Sequence, residues 1–196
     1  MDEQSQVSYS NEPSRVDRIG SHTPSLVIWG LSFQALWFFT VELASQQRSY
    51  LAACLNLIWV GVLIVSRPRS QRRSLCRWGI GGLVIGTVGD GLILRAGLYS
   101  PHETISGMPT PIWLLAMWIS FAVFVPLSLP KLLMRPILAI MFGCLGGPLS
   151  YFAGVRWGAM SFGSSAEVAL LSTGLLWGSV MYLASYFWRR SPLVQD

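Results

Sequence analysis

Charge is what this chain has least of. Only 12% of its 196 residues are Asp, Glu, Lys or Arg, where soluble domains carry ~25%. Lysine is nearly gone: Lys131 stands alone against 13 arginines. So little charge beside 52% hydrophobic residues and a mean hydropathy of +0.49 excludes a large water-soluble enzyme and a disordered chain. Cysteine is scarce as well. Cys54, Cys76 and Cys144 lie far apart and form no Cys-x-x-Cys pair, which excludes a disulfide-stapled secreted module and leaves reduced, structural thiols. Two histidines, His22 and His102, cannot build a His-based metal site. A cation held by some of Glu42, Asp90, His102, Glu103 and Glu167 is the remaining alternative; neither a metal nor a cofactor is expected. No G-x-S-x-G, H-E-x-x-H or Walker loop occurs. The glycines of WGIGGLVIGTVGDG from Trp78 imitate a dinucleotide fingerprint, but no strand precedes them and they lie inside an apolar run.

Apolar runs are what the chain does have. Six follow one another at about 25–44, 49–66, 78–95, 111–130, 136–155 and 167–188, each near the ~20 helical residues that cross a ~30 Å hydrocarbon core. Backbone amides in lipid must be satisfied within the segment, so the runs predict helices; barrel strands would alternate. Nine Trp, nine Phe and six Tyr suit aromatic belts at two interfaces. The fold class is therefore an all-α membrane protein, a six-helix transmembrane bundle over 25–190. Residues 1–24 are expected to form a disordered cytoplasmic tail and 191–196 a second, short one. Eleven basic residues fall on the amino-terminal side of such a bundle. They are Arg15, Arg18, Arg67, Arg69, Arg72, Arg73, Arg77, Lys131, Arg135, Arg189 and Arg190. Arg48, Arg95 and Arg156 fall opposite. The positive side stays in the cytoplasm, which puts both termini there. The five arginines between Arg67 and Arg77 read as the topology determinant. A lipid head-group patch is the alternative, and no nucleic acid is expected as a partner.

At 100° per residue, Gly79, Gly82, Gly86 and Asp90 share one stripe of the third run. Gly143, Gly147, Tyr151, Gly154 and Gly158 share one on the fifth, and Glu167, Gly174, Gly178 and Ser185 one on the sixth. Small residues four apart let helices approach closely where lipid supplies no hydrophobic drive. Pro126 and Pro148 are expected to kink their helices, and Gly146-Gly147-Pro148 to break the fifth locally. Polar groups within apolar runs are functional candidates by default. Asp90 is either the ion-pair partner of Arg95 or Arg156, or a proton acceptor or substrate anchor. Arg156 is the better partner, because Arg95 points about 140° away from the stripe. Glu42, Glu167, Arg95 and Arg156 lie near helix ends, where a snorkelling charge costs little. Gln34 and Asn56 are either inter-helix hydrogen-bond glue or cavity lining, and Tyr151 either an interface anchor or a cavity wall.

The strings FQALWF from Phe33, PIWLLAMWISFA from Pro111 and GCLGGPLSYFAGVRWGA from Gly143 resemble a bacterial family of small multi-pass inner-membrane proteins known only as a domain of unknown function. The resemblance covers about residues 25–190, and Gly-Gly-Pro-Leu-Ser-Tyr is its most specific part. It implies a bacterial inner membrane and no established activity, carries over no catalytic residue, and tilts the expectation toward fatty-acyl or phospholipid metabolism. The leading reading is thus an enzyme or accessory subunit of a lipid-linked process, with a polar cavity in the outer half of the membrane. Asp90 would be its acid/base, Arg156 and Arg95 anchors for an anionic head group, and Tyr151, Gln34, Glu42 and Asn56 its lining. A small-solute transporter is the rival, although helices one to three show no likeness to helices four to six. A scaffold that holds membrane-protein partners on its glycine faces is the third alternative.

Overall fold

A computed structural model describes residues 23–103, 108, 110–163 and 165–190. The tails expected at 1–24 and 191–196 lie outside them except for Thr23 and Pro24, and so does His22. Six long helices match the six apolar runs: α1 (Thr23–Ser45), α2 (Ser49–Val65), α3 (Arg69–Arg95), α4 (Ile112–Ser128), α6 (Pro136–Arg156) and α7 (Ala166–Trp188), with a single turn, α5 (Pro130–Leu133), before α6. Two short strands, β1 (Tyr99–Pro101) after α3 and β2 (Met160–Phe162) after α6, had no expectation attached to them. Proline starts α5 and α6, where its missing N–H costs nothing.

Two expectations are corrected. α3 begins at Arg69 rather than at Trp78, so four of the five clustered arginines ride on its first turns instead of filling a loop. Arginine is a good helix former, and Arg72 closes the turn by donating to the carbonyls of Arg67 and Val65 at 2.9 and 2.7 Å. The break at Gly146-Gly147-Pro148 is absent, because α6 runs unbroken through Pro148. Pro148 cannot bond the Cys144 carbonyl four residues back. That carbonyl faces Gly174 of α7, where a side chain would meet it at 3.2 Å.

The outer surface carries large apolar side chains, and a few polar side chains are buried within an apolar core. Leu31, Ile58, Val88, Leu145, Leu149 and Leu175 are exposed, while Thr40, Asn56, Asp90, Ser120, Thr173 and Ser185 are buried. Three helices, Val27–Ser45, Pro136–Arg156 and Ala166–Trp188, are long and apolar enough to cross a membrane. α2 and α4 are apolar but shorter. Inside the bundle, Asn56 donates to Thr40 Oγ1 at 2.6 Å and to the Ala52 carbonyl at 2.9 Å, and accepts from Ser120 Oγ at 2.8 Å. It ties α1, α2 and α4 at one point. Membrane hydrogen bonds of this kind contribute about 0.6 kcal/mol each on average.

Two glycine seams hold the rest. On α3, Gly82 lies against the Trp118 carbonyl and Ala122 of α4, and Gly86 lies under the Trp118 ring. On α6, Gly143 lies against the Trp177 carbonyl and Met181 of α7, and Gly147 lies under the Trp177 ring. The hairpins α3-β1-α4 and α6-β2-α7 repeat one another. Gly82, Gly86, Asp90, Arg95, Gly97 and Ser100 occur at the spacing of Gly143, Gly147, Tyr151, Arg156, Gly158 and Ser161. Gly97 (φ 67°) and Gly158 (φ 85°) make the same left-handed turn out of their helices, a conformation that glycine adopts without penalty. The strands that follow pair antiparallel with Ser100 opposite its counterpart Ser161. Trp118 stacks on its counterpart Trp177, with centroids 4.4 Å apart and planes 14° from parallel.

Candidate functional site

The two seams converge on Asp90. Its stripe on α3 turns it into the bundle, and Gly86 one turn earlier lets α4 come close enough for Trp118 to reach it. The side chain is 1% exposed. Trp118 Nε1 donates to Asp90 Oδ2 at 2.6 Å, and the Tyr151 hydroxyl donates to Oδ1 at 2.6 Å. Asp90 and Tyr151 occupy equivalent positions of the repeat, so the hydrogen bond joins the two hairpins where their counterparts meet. Trp177 Nε1 lies beside the Tyr151 hydroxyl without completing a hydrogen bond. Tyr99 of β1 covers the cluster, its ring 5.2 Å from that of Tyr151 and its hydroxyl accepting from Thr173 Oγ1 at 3.2 Å. Burial raises the Tyr99 hydroxyl above the usual phenol range, against the lowering effect of the Thr173 bond, so it stays protonated at neutral pH.

The ion pair expected between Asp90 and Arg156 is replaced by these aromatic donors. Arg156 and Arg95 are both exposed at helix ends, where a guanidinium is hydrated and has nothing to gain from the interior. Glu42 is half-buried and accepts from Gln46 Nε2 at 2.6 Å and Trp157 Nε1 at 2.7 Å. Glu103 accepts from the Ser49 backbone N–H at 2.9 Å, an anion at the amino-terminal end of α2. Among the described residues, no three His, Cys, Asp or Glu side chains are grouped to hold a metal ion.

A cavity of about 350 Å³ lies on the other side of Trp118 and Tyr151, at the small end of the ~300–1,000 Å³ typical of ligand pockets. Trp37 and Phe33 of α1, Met117 and Trp118 of α4, Gly146 and Tyr151 of α6 and Trp177 of α7 are among its walls. Gln34, Phe142 and Leu149 line it and are also exposed, so it opens between α1 and α6, across the surface that carries the exposed leucines. Trp37 Nε1, donating to Ser150 Oγ at 2.9 Å, bridges α1 and α6 beside the opening.

Of the residues singled out in the sequence, Tyr151 and Gln34 meet in this cavity and Asp90 stands behind its wall. Asn56, Glu42, Arg95 and Arg156 are not among its lining. Trp118, Trp177, Trp37 and Ser150 went unremarked in the sequence. The signal available was the repeated spacing of glycine and polar positions between the third and fifth runs.

Residues 26–183 match the family described as "Protein of unknown function (DUF2878)". The chain belongs to that family. No curated protein and no solved structure matches it. In this DUF2878 protein the matched span takes in every element from β1 to β2 and every residue of the Asp90 cluster and the cavity.

Proposed function

We propose that this is a multi-pass membrane protein in which all six long helices span, with both termini cytoplasmic. We further propose that its cavity admits the apolar part of a molecule dissolved in the bilayer. The protein would serve lipid or fatty-acyl metabolism as an enzyme or accessory subunit. One observation carries the reading: an aromatic-walled cavity opens sideways between α1 and α6 and ends at Trp118 and Tyr151, which hold Asp90, the only buried charged side chain among the described residues. A carrier of small polar solutes would need polar walls, and these are apolar. A scaffold working through glycine faces is unsupported, because Gly82, Gly86, Gly143 and Gly147 are covered by α4 and α7 of the same chain.

Photolabelling tests the reading. With the protein in phosphatidylcholine nanodiscs, a long-chain alcohol bearing a diazirine should label peptides of α1 and α6 that line the cavity. Gly146 lines the cavity, and a Cβ there meets no atom within 4 Å, so Gly146→Trp should fill the space, abolish that labelling and leave the melting temperature near the parent's. Labelling spread evenly over the outer surface, or unchanged in Gly146→Trp, would overturn the proposal.

A further inference from the structure

We propose that three exposed arginines at the start of α3 bind the phosphate of an anionic phospholipid, whose acyl chains lie against the apolar row that continues from them along the same helix. The inference is independent of the cavity. The structure divides the five clustered arginines into two kinds. Arg72 is spent on the carbonyls of Arg67 and Val65. The Arg67 guanidinium, on a half-buried residue, lies 5.8 Å from the centroid of the Trp29 ring, within cation–π range. Arg69, Arg73 and Arg77 are exposed. They stand four residues apart, each about 6 Å further along the axis than the last.

At 100° per residue these three arginines and Ile80, Val84 and Val88, which are exposed as well, fall on one stripe about 100° wide. The buried stripe of Gly79, Gly82, Gly86 and Asp90 is on the opposite side. α3 has 27 residues, a length of about 40 Å against a hydrocarbon core of ~30 Å. Its first turns therefore stand in the head-group layer while the apolar row lies in the hydrocarbon, and a phospholipid matches both parts. A soluble phosphate would use only the first. The four acidic side chains among the described residues, Glu42, Asp90, Glu103 and Glu167, lie in the other half of the bundle, toward the strands, so no described carboxylate neutralises the row. Pro68 before the helix provides no capping side chain, and the positive end of the helix adds to the same charge. A guanidinium fork takes two phosphate oxygens at once, which an ammonium cannot do.

Thermal melts in dodecyl maltoside test this, with dioctanoyl phosphatidylglycerol, dioctanoyl phosphatidylcholine or inorganic phosphate added to the full chain. Phosphatidylglycerol should raise the melting temperature by about 5 °C at saturation, and the other two by about 1 °C or less. Arg73→Gln should raise the concentration of phosphatidylglycerol that gives half the effect about fivefold, the worth of one basic side chain at an anionic membrane surface. Arg69→Gln, Arg73→Gln and Arg77→Gln together should raise it about a hundredfold. Lys131→Gln, Arg135→Gln and Arg190→Gln together remove as much charge from the same end but off the row, and should change it less than about threefold. Equal responses to the two lipids would overturn the proposal. A full response to inorganic phosphate would mean a site for a soluble anion, and equal losses in the two triple variants a diffuse field; either overturns it. So would a response that appears only after Glu12→Gln and Asp17→Asn, because the arginines would then belong to carboxylates of the chain itself. Should the α3 triple variant fail to fold, Arg73→Gln set against the off-row triple decides.

Discussion

Asp90 is a buried acid whose two hydrogen-bond partners are neutral aromatic donors, and the cost of disturbing it follows from which partner is removed. Tyr151→Phe deletes one donor and leaves a carboxylate oxygen buried and unpaired, a loss of about 1–3 kcal/mol that detergent-solubilised protein should show as a lower melting temperature. Arg156→Gln, at an exposed site, should stay within about 0.5 kcal/mol of the parent. If Arg156→Gln melts as low as Tyr151→Phe, a cation is the true partner of Asp90 and the aromatic cluster is incidental. Asp90 and Tyr151 could be singled out in the sequence because a carboxylate or phenol on a glycine stripe turns inward. Trp118 and Trp177 could not, because a tryptophan in a membrane chain belongs by default to an interfacial belt, and nothing local separates these two from the other seven. The error about Arg156 has the same root: helical angles rank which residues share a face, but not how far a guanidinium will go to stay hydrated.

Helices associate in lipid by fit rather than by hydrophobic drive, so each seam should be as sensitive as its tightest glycine. An alanine Cβ at Gly82 would lie 2.5 Å from that of Ala122 and 2.7 Å from the Trp118 carbonyl. Backbone cannot yield as a flexible side chain can. Gly82→Ala and Gly143→Ala should therefore each lose about 1–3 kcal/mol. At Gly81 an added Cβ meets no atom within 4 Å, and Gly81→Ala should gain about 0.4–1 kcal/mol by restricting the unfolded chain. Thermal melts of the three variants check the contrast; equal melting temperatures would mean that α3 and α4 are not in close contact through Gly82. The glycine stripes were legible because the helical period arranges them. The repeat was not, because it pairs the third run with the fifth and the fourth with the sixth, whereas a comparison of the first three helices with the last three sets unlike elements side by side. Glycines and turn residues account for much of what the repeats share, and Asp90 answers to Tyr151, so identity at the central position is missing. The start of α3 was misjudged for a different reason: hydropathy sees where the apolar run ends, but arginine carries a helix onward into water.

At the scale of the whole molecule, the strand pairing constrains the topology. β1 follows α3, β2 follows α6, and the two are hydrogen-bonded, so the carboxyl-terminal ends of α3 and α6 lie on one side. If both helices span, the chain between them must cross back through α4 and return through α6, which makes the repeated hairpins parallel and related by an axis along the membrane normal, one of the two arrangements found in membrane proteins built from repeats. Basic residues independently choose which side this is. Lys131 and Arg135, in the turn between α4 and α6, and the arginines that begin α3 lie at the opposite end of the bundle from the strands. Such an asymmetry keeps the basic end in the cytoplasm. Alkaline phosphatase, which needs an oxidising compartment for its disulfides, should be active when inserted after His102 or after Gly163, and inactive when fused after Asp196 or inserted after Lys131. Activity after Asp196 together with activity after Gly163 would mean that α7 does not cross. Opposite results at His102 and Gly163 would be more damaging, because two strands cannot pair across a bilayer, and the repeat, the Asp90 cluster and the cavity built on it would then have to be abandoned together.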